Sequence, residues 1–259
     1  MAVTALMNQK GGTGKTTTVM NLAAQAALKH PTLMIDCDPQ SNLTEQFSDI
    51  LALEENQKGT TRDLFFGKDS TPIEVRKNLF LIPSGDLEAI DLDIQHKLGR
   101  EYFLRKRIDK LKTNFKHIFL DCPPARNIVT INALCAANYV IIPVKAAYFS
   151  MQGVEGMVEY VTMVIEQGAN PDLVLLGILV THYDDRLNIG KWILEEFKKR
   201  GWDNALFKTM IHHNTDIEGA QFKKQTIFEY NRKSKGAQDY ASLGQEVLKK
   251  IKNIEKQTV

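Results

Sequence analysis

The sequence predicts an α/β protein whose doubly wound, mostly parallel sheet is flanked by helices. Short runs of aliphatic and β-branched residues alternate along the chain with longer amphipathic stretches, which is typical of repeated βα units. Several short runs, such as residues 79–82, are apolar at every position, as expected for strands covered by helices on both sides. The 259 residues are enough for a sizeable core, and we expect a single domain that spans residues 1–259.

The alternation places the individual elements in order along the chain. The candidate strands are residues 3–7, 32–35, 79–82, 117–120, 139–144, 173–180 and 207–211. The candidate helices are residues 15–29, 102–111, 128–136, 151–167, 189–200 and 237–254. Residues 48–71 interrupt the pattern with polar residues and two glycines, so we expect a surface excursion there.

The composition excludes several classes of protein. A net charge of only +2 excludes a strong overall attraction to nucleic acid but leaves room for a local basic patch. Three cysteines without CxxC spacing argue against a disulfide framework or a zinc site, and they suit a reducing compartment. The sequence has no signal peptide and no run of about 20 apolar residues, so we expect a cytoplasmic protein.

A glycine-rich loop between the first candidate strand and the first candidate helix carries the clearest chemical signal. Glycine lets backbone N–H groups close around phosphate oxygens, and the helix N-terminus favours negative charge. In this pattern Lys15 reaches the β- and γ-phosphates, and the Thr16 hydroxyl is a ligand of Mg²⁺. A flexible turn would explain the glycines but not Gly-Lys-Thr-Thr at a strand-to-helix junction. We predict that ATP and Mg²⁺ bind to Lys10, Gly11, Gly12, Thr13, Gly14, Lys15, Thr16 and Thr17.

The loop departs from the ordinary phosphate-binding pattern at its first residues. Gln9 stands where that pattern has glycine, and an additional lysine, Lys10, follows it. This arrangement resembles the deviant Walker A motif of the ParA/MinD superfamily, in which the first lysine crosses a dimer interface to the partner's nucleotide. The resemblance implies an ATP-bound homodimer in which Lys10 stabilises charge on the transferred phosphoryl group, as an arginine finger does. Taken alone, Lys10 would be interpreted as a solvated surface charge.

A pair of carboxylates ends the second candidate strand, where nucleotide chemistry in open α/β sheets collects. The segment that begins at Asp36 reads Asp-Cys-Asp-Pro-Gln and resembles the switch I motif of the same superfamily. The resemblance implies that Asp38 orients or deprotonates the attacking water and that Asp36 supports the Mg²⁺ shell. Asp38 or Ser41 could also cap the following helix, and the two roles do not exclude each other.

A third motif follows the strand predicted at residues 117–120. Asp121 ends this apolar run and is followed by Cys-Pro-Pro, which resembles the superfamily's switch II. An aspartate at this position can hold a Mg²⁺-bound water. Alone, the motif equally describes a strand that ends in a turn. Three such motifs in the right order on three strand ends are a strong combined signal.

The resemblance covers nearly the whole chain. Residues 130–134, 141–144, 148–153 and 234–240 resemble further segments of the ParA branch, whereas residues 48–98 are least similar. No helix-turn-helix segment precedes the first candidate strand, so we expect the short, Soj-like type. The resemblance implies a partition or cargo-positioning ATPase that binds non-specific DNA as an ATP dimer in the nucleoid. It also implies slow hydrolysis that a ParB-like or other adaptor protein stimulates.

The predicted DNA contacts are basic residues of the C-terminal half, since phosphate contacts require only cations grouped on one face. Each single cation could equally be a solvated charge. The sequence also departs from the family here, because His213 and Asp216 stand where relatives often have arginine. Asn214 lies near the adenine by family position, and we interpret His212 and His213 as surface residues without a metal. The DNA-binding candidates are Arg186, Lys191, Lys223, Lys224, Arg232 and Lys235.

Three other functions remain open at this point. A MinD-like membrane-associated ATPase would need a terminal amphipathic helix, and residues 237–254 do carry an apolar stripe at helical spacing. The stripe lacks the cluster of an interfacial anchor, so we prefer a core-packing helix and expect no stable membrane association. A metal-cluster carrier would need paired cysteine ligands, whereas we interpret Cys37 and Cys122 as packed thiols. A nucleotide switch with negligible turnover is the third alternative.

Overall fold

The computed structural model of the chain describes residues 1–52, 59–111, 113–146 and 150–257. In this part of the chain a seven-stranded sheet has the strand order β3-β4-β2-β5-β1-β6-β7, and only β3 runs antiparallel to its neighbour. The strands are β1 (Ala2–Leu6), β2 (Thr32–Asp36), β3 (Ile73–Arg76), β4 (Leu79–Ile82), β5 (His117–Asp121), β6 (Tyr139–Lys145) and β7 (Val174–Thr181). The predicted fold class is confirmed.

Helices cover both faces of the sheet, and each face has its own apolar cluster. Helices α4 to α9 pack on one face, and α1 to α3 with α10 to α12 pack on the other. Two 3₁₀ turns occupy Arg100–Tyr102 and Asp203–Ala205. The helices are α1 (Lys15–Ala27), α2 (Asn42–Glu45), α3 (Ser48–Leu51), α4 (Thr61–Phe65), α5 (Ile90–Ile94), α6 (Phe103–Leu111), α7 (Ile128–Ala136), α8 (Ser150–Glu166), α9 (Asn188–Lys199), α10 (Thr215–Phe222), α11 (Ile227–Tyr230) and α12 (Lys235–Gln257).

The strand predicted at residues 207–211 is wrong. Phe207 and Ile211 each donate a backbone hydrogen bond to β7, but the residues between them do not continue the ladder. The N–H groups of Lys208 and Thr209 instead donate to the carboxylate of Glu246 at 2.8 and 2.9 Å. The segment therefore lies beside β7 with only isolated bridges.

The surface excursion predicted for residues 48–71 is partly wrong, because two short helices in it contribute to the core. Leu51 of α3 is buried, as are Leu64 and Phe65 of α4. A capping box starts α4: the Thr60 side chain accepts from the Asp63 N–H, and the Asp63 carboxylate accepts from the Thr60 N–H. Residues 53–58 of the excursion lie outside the described residues.

The apolar stripe of helix α12 is buried in the core. Tyr240, Leu243, Val247 and Ile251 are buried against α1 and the sheet, and Ile254 packs at the edge of the same cluster. The stripe is therefore part of the core, as expected, and is not an exposed lipid-binding face. Among the described helices, none is long and apolar enough to cross a membrane.

The strand order brings the three motifs to one edge of the sheet. β1 lies between β5 and β6, so the loop that leaves β1 sits at the point where the strand order reverses. In the parallel register Asp121 of β5 is the partner of Asp36 in β2 and of Leu6 in β1. The two carboxylates and the glycine-rich loop therefore emerge side by side.

Candidate functional site

The loop after β1 has the geometry of a phosphate cradle. Gly12 and Gly14 have φ values of +70° and +84°, which L side chains rarely adopt. Gly14 is also the N-cap of α1, and no side chain caps this helix. The first N–H groups of α1 are therefore available to an anion at the positive end of the helix dipole.

Lys15 begins α1 and points into the site. Its side chain is buried, and burial lowers the pKa of its ammonium group, while the charges of Asp121 and Asp38 raise it. A buried cation without a close ion pair is unfavourable, so a bound anion would stabilise it. Thr181 of β7 supports the loop from the other side, since its hydroxyl donates to the Thr13 carbonyl at 3.0 Å.

Asp121 is the strongest indication of a cation. It is fully buried, and neither of its carboxylate oxygens has a hydrogen-bond partner in the described part of the chain. Burial, followed by the charge of Asp36, raises the pKa of Asp121 well above its ordinary value, although the nearby Thr16 hydroxyl and Lys15 oppose the shift. Buried carboxylates are normally satisfied, so this one fits a Mg²⁺ ion with its water shell beside Thr16.

Asp36 is placed differently from Asp121, although the two are neighbours. Its carboxylate accepts from the Thr44 hydroxyl at 2.6 Å, from the Thr44 N–H at 2.8 Å and from the Asp38 N–H at 3.1 Å. Burial raises the pKa of Asp36 to about 6, and the hydrogen bonds from Thr44 work against this shift. Asp36 therefore anchors the turn that carries Asp38.

Asp38 reaches the same cleft as the loop. Its Oδ1 accepts from the Gln40 N–H at 3.0 Å, and its carbonyl accepts from the Ser84 hydroxyl at 2.7 Å. The side chain does not cap α2, and the Ser41 side chain does not cap it either, so the capping alternative is not realised. The turn holds the Asp38 carboxylate over the phosphate cradle.

The cleft between these elements has a volume of about 510 Å³, and most of the predicted ATP-binding residues line it. The remaining residues that line the cleft were not predicted as site residues from the sequence. They lie far apart along the chain, so only the fold brings them together. The lining consists of Gly11, Gly12, Thr13, Gly14, Lys15, Thr16, Thr17, Met20, Asp38, Gln40, Asn42, Glu45, Gln46, Pro124 and Gln221.

A second cavity of about 170 Å³ adjoins the cleft and shares Gly12, Gly14, Thr17 and Gln221 with it. Asn214 lines this cavity. Its Oδ1 also accepts from the Asp216 N–H at 2.7 Å and so starts α10. The Gln221 amide donates to the Thr17 hydroxyl, which joins α10 to α1.

The interpretation of His212 as a plain surface residue is wrong. Its Nδ1 lies 2.8 Å from Oδ2 of the buried Asp239, and its Nε2 lies 3.2 Å from Asp185. Both His212 and His213 line the second cavity. No group of three or more potential metal ligands occurs among the described residues, and the described cysteines Cys37 and Cys122 are buried as packed thiols.

Lys10 differs from the rest of the loop because its side chain is exposed and is not among the lining residues of either cavity. The backbone below it is held firmly. Its N–H donates to Asn8 Oδ1 at 3.0 Å, and the buried Asn8 amide donates to the Pro143 carbonyl at 2.7 Å. Lys10 therefore combines an exposed side chain with a backbone that Asn8 holds in place.

The predicted DNA-binding cations do not form one free set. Arg186 makes two hydrogen bonds to the Asp184 carboxylate, and Lys235 lies 3.1 Å from the buried Asp239. Lys224 contacts three groups on α2 and α3. Lys191, Lys223 and Arg232 are exposed, and the described chain offers them no ion pair.

Comparisons with known proteins place the chain in a family. A family model described as an AAA domain matches residues 1–175. The chain is 33% identical over 258 residues to the chromosome partitioning protein ParA of Myxococcus xanthus, covering 96% of this chain and 88% of that protein. It is 34% identical over 252 residues to the sporulation initiation inhibitor protein Soj of Bacillus subtilis, covering 95% and 97% respectively.

A solved structure is similar along the same length. The cobyrinic acid a,c-diamide synthase of Mycobacterium smegmatis, with bound ADP and magnesium, has a TM-score of 0.78 and 27% identity. The likeness covers 97% of this chain and 96% of that one. Sequence, fold and site geometry agree, and the chain belongs to the ParA-type partition ATPases of the ParA/MinD superfamily.

Proposed function

We propose that the chain binds ATP and Mg²⁺, dimerises around two ATP molecules and uses hydrolysis to position a DNA or protein cargo. One observation carries this proposal: the phosphate cradle, the Asp38 carboxylate and the unpartnered Asp121 carboxylate meet in or beneath one cleft. The relatives named as chromosome partitioning proteins support the choice of cargo positioning.

The nucleotide is held by groups whose roles follow from their positions. The N–H groups of the loop and of the first turn of α1 bind the phosphate oxygens, and Lys15 binds the β- and γ-phosphates. Asp121 and the Thr16 hydroxyl hold Mg²⁺, and Asp36 supports its shell from below. Bound Mg²⁺ neutralises charge on the phosphates. Asn214 lies beside the base.

Two residues carry the hydrolysis step. Asp38 orients the attacking water and accepts its proton, because its carboxylate is fixed above the cradle by the turn that Asp36 anchors. Lys10 of one subunit enters the cleft of the other and stabilises charge on the transferred phosphoryl group. The exposed side chain on a fixed backbone supports this role, since the side chain can extend into the other subunit while the loop stays folded.

The resemblance to the family supports a proposal for the wider cycle. The ATP dimer binds non-specific DNA in the cytoplasm, associated with the nucleoid, and a ParB-like or other adaptor protein accelerates hydrolysis. The test measures phosphate release by the purified chain with Mg²⁺ and ATP, with and without random-sequence DNA, together with ATP-dependent co-sedimentation with DNA. Slow turnover and ATP-dependent DNA binding support the proposal. Absence of DNA binding at low salt removes the DNA-based mechanism, and absence of turnover leaves a nucleotide switch.

A further inference from the structure

Helix α6 and the turn before it form a locally concentrated patch of positive charge. Residues 97–110 contain six lysines or arginines and two acidic residues, a net charge of +4 in a chain whose total is +2. Buried Leu104 and Ile108 hold α6 on the sheet face opposite α1. Its basic residues are not among those that line the ATP cleft.

Three of these cations converge on one depression, which we call the α6 cavity. It has a volume of about 230 Å³ and lies between α4 and α6. The Lys97 ammonium lies 4.5 Å from the centre of the Phe66 ring, and the Lys106 ammonium lies 5.9 Å from the centre of the Phe103 ring. Arg107 completes the set. The rings hold the ammonium groups at the cavity without neutralising them.

The backbone opposite α6 is shaped to receive the Arg107 side chain. Gly67 has a φ of +80°, and a Cβ atom there would lie 2.7 Å from an Nη atom of Arg107. A larger residue would therefore displace the guanidinium group. The position combines a left-handed backbone with close approach of a cation, and both need glycine.

The α6 cavity has little negative charge of its own. Arg107 and Lys110 share Asp69 at 3.6 and 3.7 Å, and the Asp69 side chain is 86% exposed. Ion pairs this long and this exposed contribute little stability, so a stronger anion can replace Asp69. Lys97 and Lys106 have no ion pair within the ranges that the structure describes.

Of the six cations predicted to bind DNA in the C-terminal half, three contrast with this cluster, whereas Lys191, Lys223 and Arg232 have no ion pair in the described chain. Arg186 is held by two hydrogen bonds to Asp184, Lys235 by the buried Asp239, and Lys224 by α2 and α3. Each must lose an internal partner before it binds a phosphate. The cations around the α6 cavity bind a phosphate at much lower cost.

We propose that the α6 cavity binds phosphate groups of the DNA backbone, so that α6 forms part of the DNA-binding surface. This inference rests on the proposed function, which includes non-specific DNA binding. A guanidinium group and two ammonium groups match consecutive phosphates, and contacts of this kind carry no sequence information. A bound DNA phosphate replaces Asp69 as the partner of Arg107 and Lys110. The contacts of Lys97 with Phe66 and of Lys106 with Phe103 stay in place.

The experiment measures binding of the full chain to a fluorescein-labelled random 24-bp duplex by anisotropy, with Mg²⁺ and a non-hydrolysable ATP analogue, across a salt series. The test variant is Lys97→Ala/Lys106→Ala, since both side chains are exposed and the described chain gives them no ion pair. The matched control is Lys249→Ala/Lys252→Ala, which removes two exposed lysines from α12 on the opposite face. Sedimentation velocity with the same analogue checks that each variant still dimerises.

The expected result is a fall in affinity of about tenfold or more and a salt slope smaller by about 2 for the test variant. For the control variant, the loss of affinity and the change in salt slope should each be less than half as large. Equal slopes for wild type, test variant and control overturn the inference while the proposed function stands. A wild type that dimerises with the analogue but binds no DNA overturns the inference together with the DNA part of that function. Stronger binding of labelled poly-L-glutamate than of the duplex, lost in the test variant, identifies an acidic protein as the occupant and also overturns it.

Discussion

The ammonium nitrogen of Lys224 lies 3.1 Å from a carboxylate oxygen of Glu45. The same nitrogen lies 2.6 Å from the Ser48 hydroxyl and 3.2 Å from the Asp49 carboxylate. Glu45 lines the ATP cleft and belongs to the segment that follows Asp38. Lys224, two residues beyond the end of α10, is therefore tied to the segment that follows Asp38 and lines the ATP cleft.

Substitution of Lys224 by glutamine should lower the thermal unfolding midpoint slightly, by roughly 2 °C, since the lost pairs are largely exposed. Lys223→Gln is the matched control, because Lys223 is exposed and has no ion pair in the described chain. Its midpoint should not change. Differential scanning calorimetry of both variants at low salt makes the comparison. Equal midpoints for the two variants would show that the Lys224 contacts do not hold α2 and α3.

His117 should make the stability of the protein sensitive to acid. Burial, followed by the charges of His30 and Lys116, lowers the pKa of His117 to about 4. A histidine with a lowered pKa stabilises the fold above its unfolded pKa of about 6.5, and this contribution is lost as the pH falls towards 4. Between pH 7 and pH 4, the free energy of unfolding of wild type should therefore fall by up to about 3 kcal/mol more than that of His117→Gln.

The measurement for His117 is urea unfolding at several pH values between 4 and 7. His96→Gln is the control, because His96 is exposed on the turn after α5. Its unfolding free energy should follow that of wild type across the series. If His117→Gln also follows wild type, the buried imidazole is not the group that senses acid.

Asp38→Ala should trap the ATP dimer. The variant keeps the cradle and Lys15, so it binds ATP, but no carboxylate positions the water, and turnover should fall at least about a hundredfold. Sedimentation velocity after overnight incubation with Mg²⁺ and ATP should find dimer for the variant and monomer for wild type that has consumed its ATP. Asp172→Ala, an exposed aspartate before β7, should behave as wild type. Full turnover by Asp38→Ala contradicts the assignment.

Lys10→Ala should separate nucleotide binding from dimerisation. The Lys10 side chain does not line the cleft of its own subunit, so the affinity of the monomer for ATP should change less than about threefold. The dimer should not form, because each subunit has lost the cation that it provides to its partner's phosphates. Analytical ultracentrifugation with a non-hydrolysable analogue measures this. A stable dimer of Lys10→Ala would remove Lys10 from the interface.

The sequence predicted the local parts of the site well, because each is a short motif at the end of one strand. Six predicted strands are present within one residue at each end, and the loop from Lys10 to Thr17 lies where expected. The turns with the sequences Asp-Pro-Gln and Asp-Cys-Pro-Pro also lie at the ends of their strands. Such motifs fix the chain geometry within a few residues, so neighbouring positions in the sequence are enough to identify them.

The sequence could not predict contacts between distant segments. The hydroxyl of Thr44 holds Asp36, and Gln221 contacts Thr17, but neither residue belongs to a motif. Strand β3 was missed because Glu74 and Arg76 interrupt its apolar residues, whereas β4, of the same length, is apolar throughout. The turn between them uses Asn78 with a φ of +60°. The false strand at residues 207–211 has the right apolar residues, but Glu246 of α12 takes its backbone N–H groups.

The partners of the basic residues could not be predicted either, and the reason is physical. Basic residues in a sequence give no information about their partners, and the structure pairs Arg186 and Lys224 with nearby carboxylates. The pairing of Lys224 joins residues far apart in the chain. The cluster on α6 includes three consecutive basic residues from Arg105, and it follows residues 48–98, where the family resemblance is weakest.

The central claim is that the loop from Lys10 to Thr17 binds the triphosphate of ATP with Mg²⁺. Isothermal titration of Mg²⁺ and ATP into the purified wild-type chain, beside Lys15→Ala, tests it most directly. We expect saturable binding of one ATP per chain in wild type and none in Lys15→Ala. A folded wild-type protein that releases no heat and binds no labelled ATP, or a Lys15→Ala variant that binds as wild type does, would contradict the account.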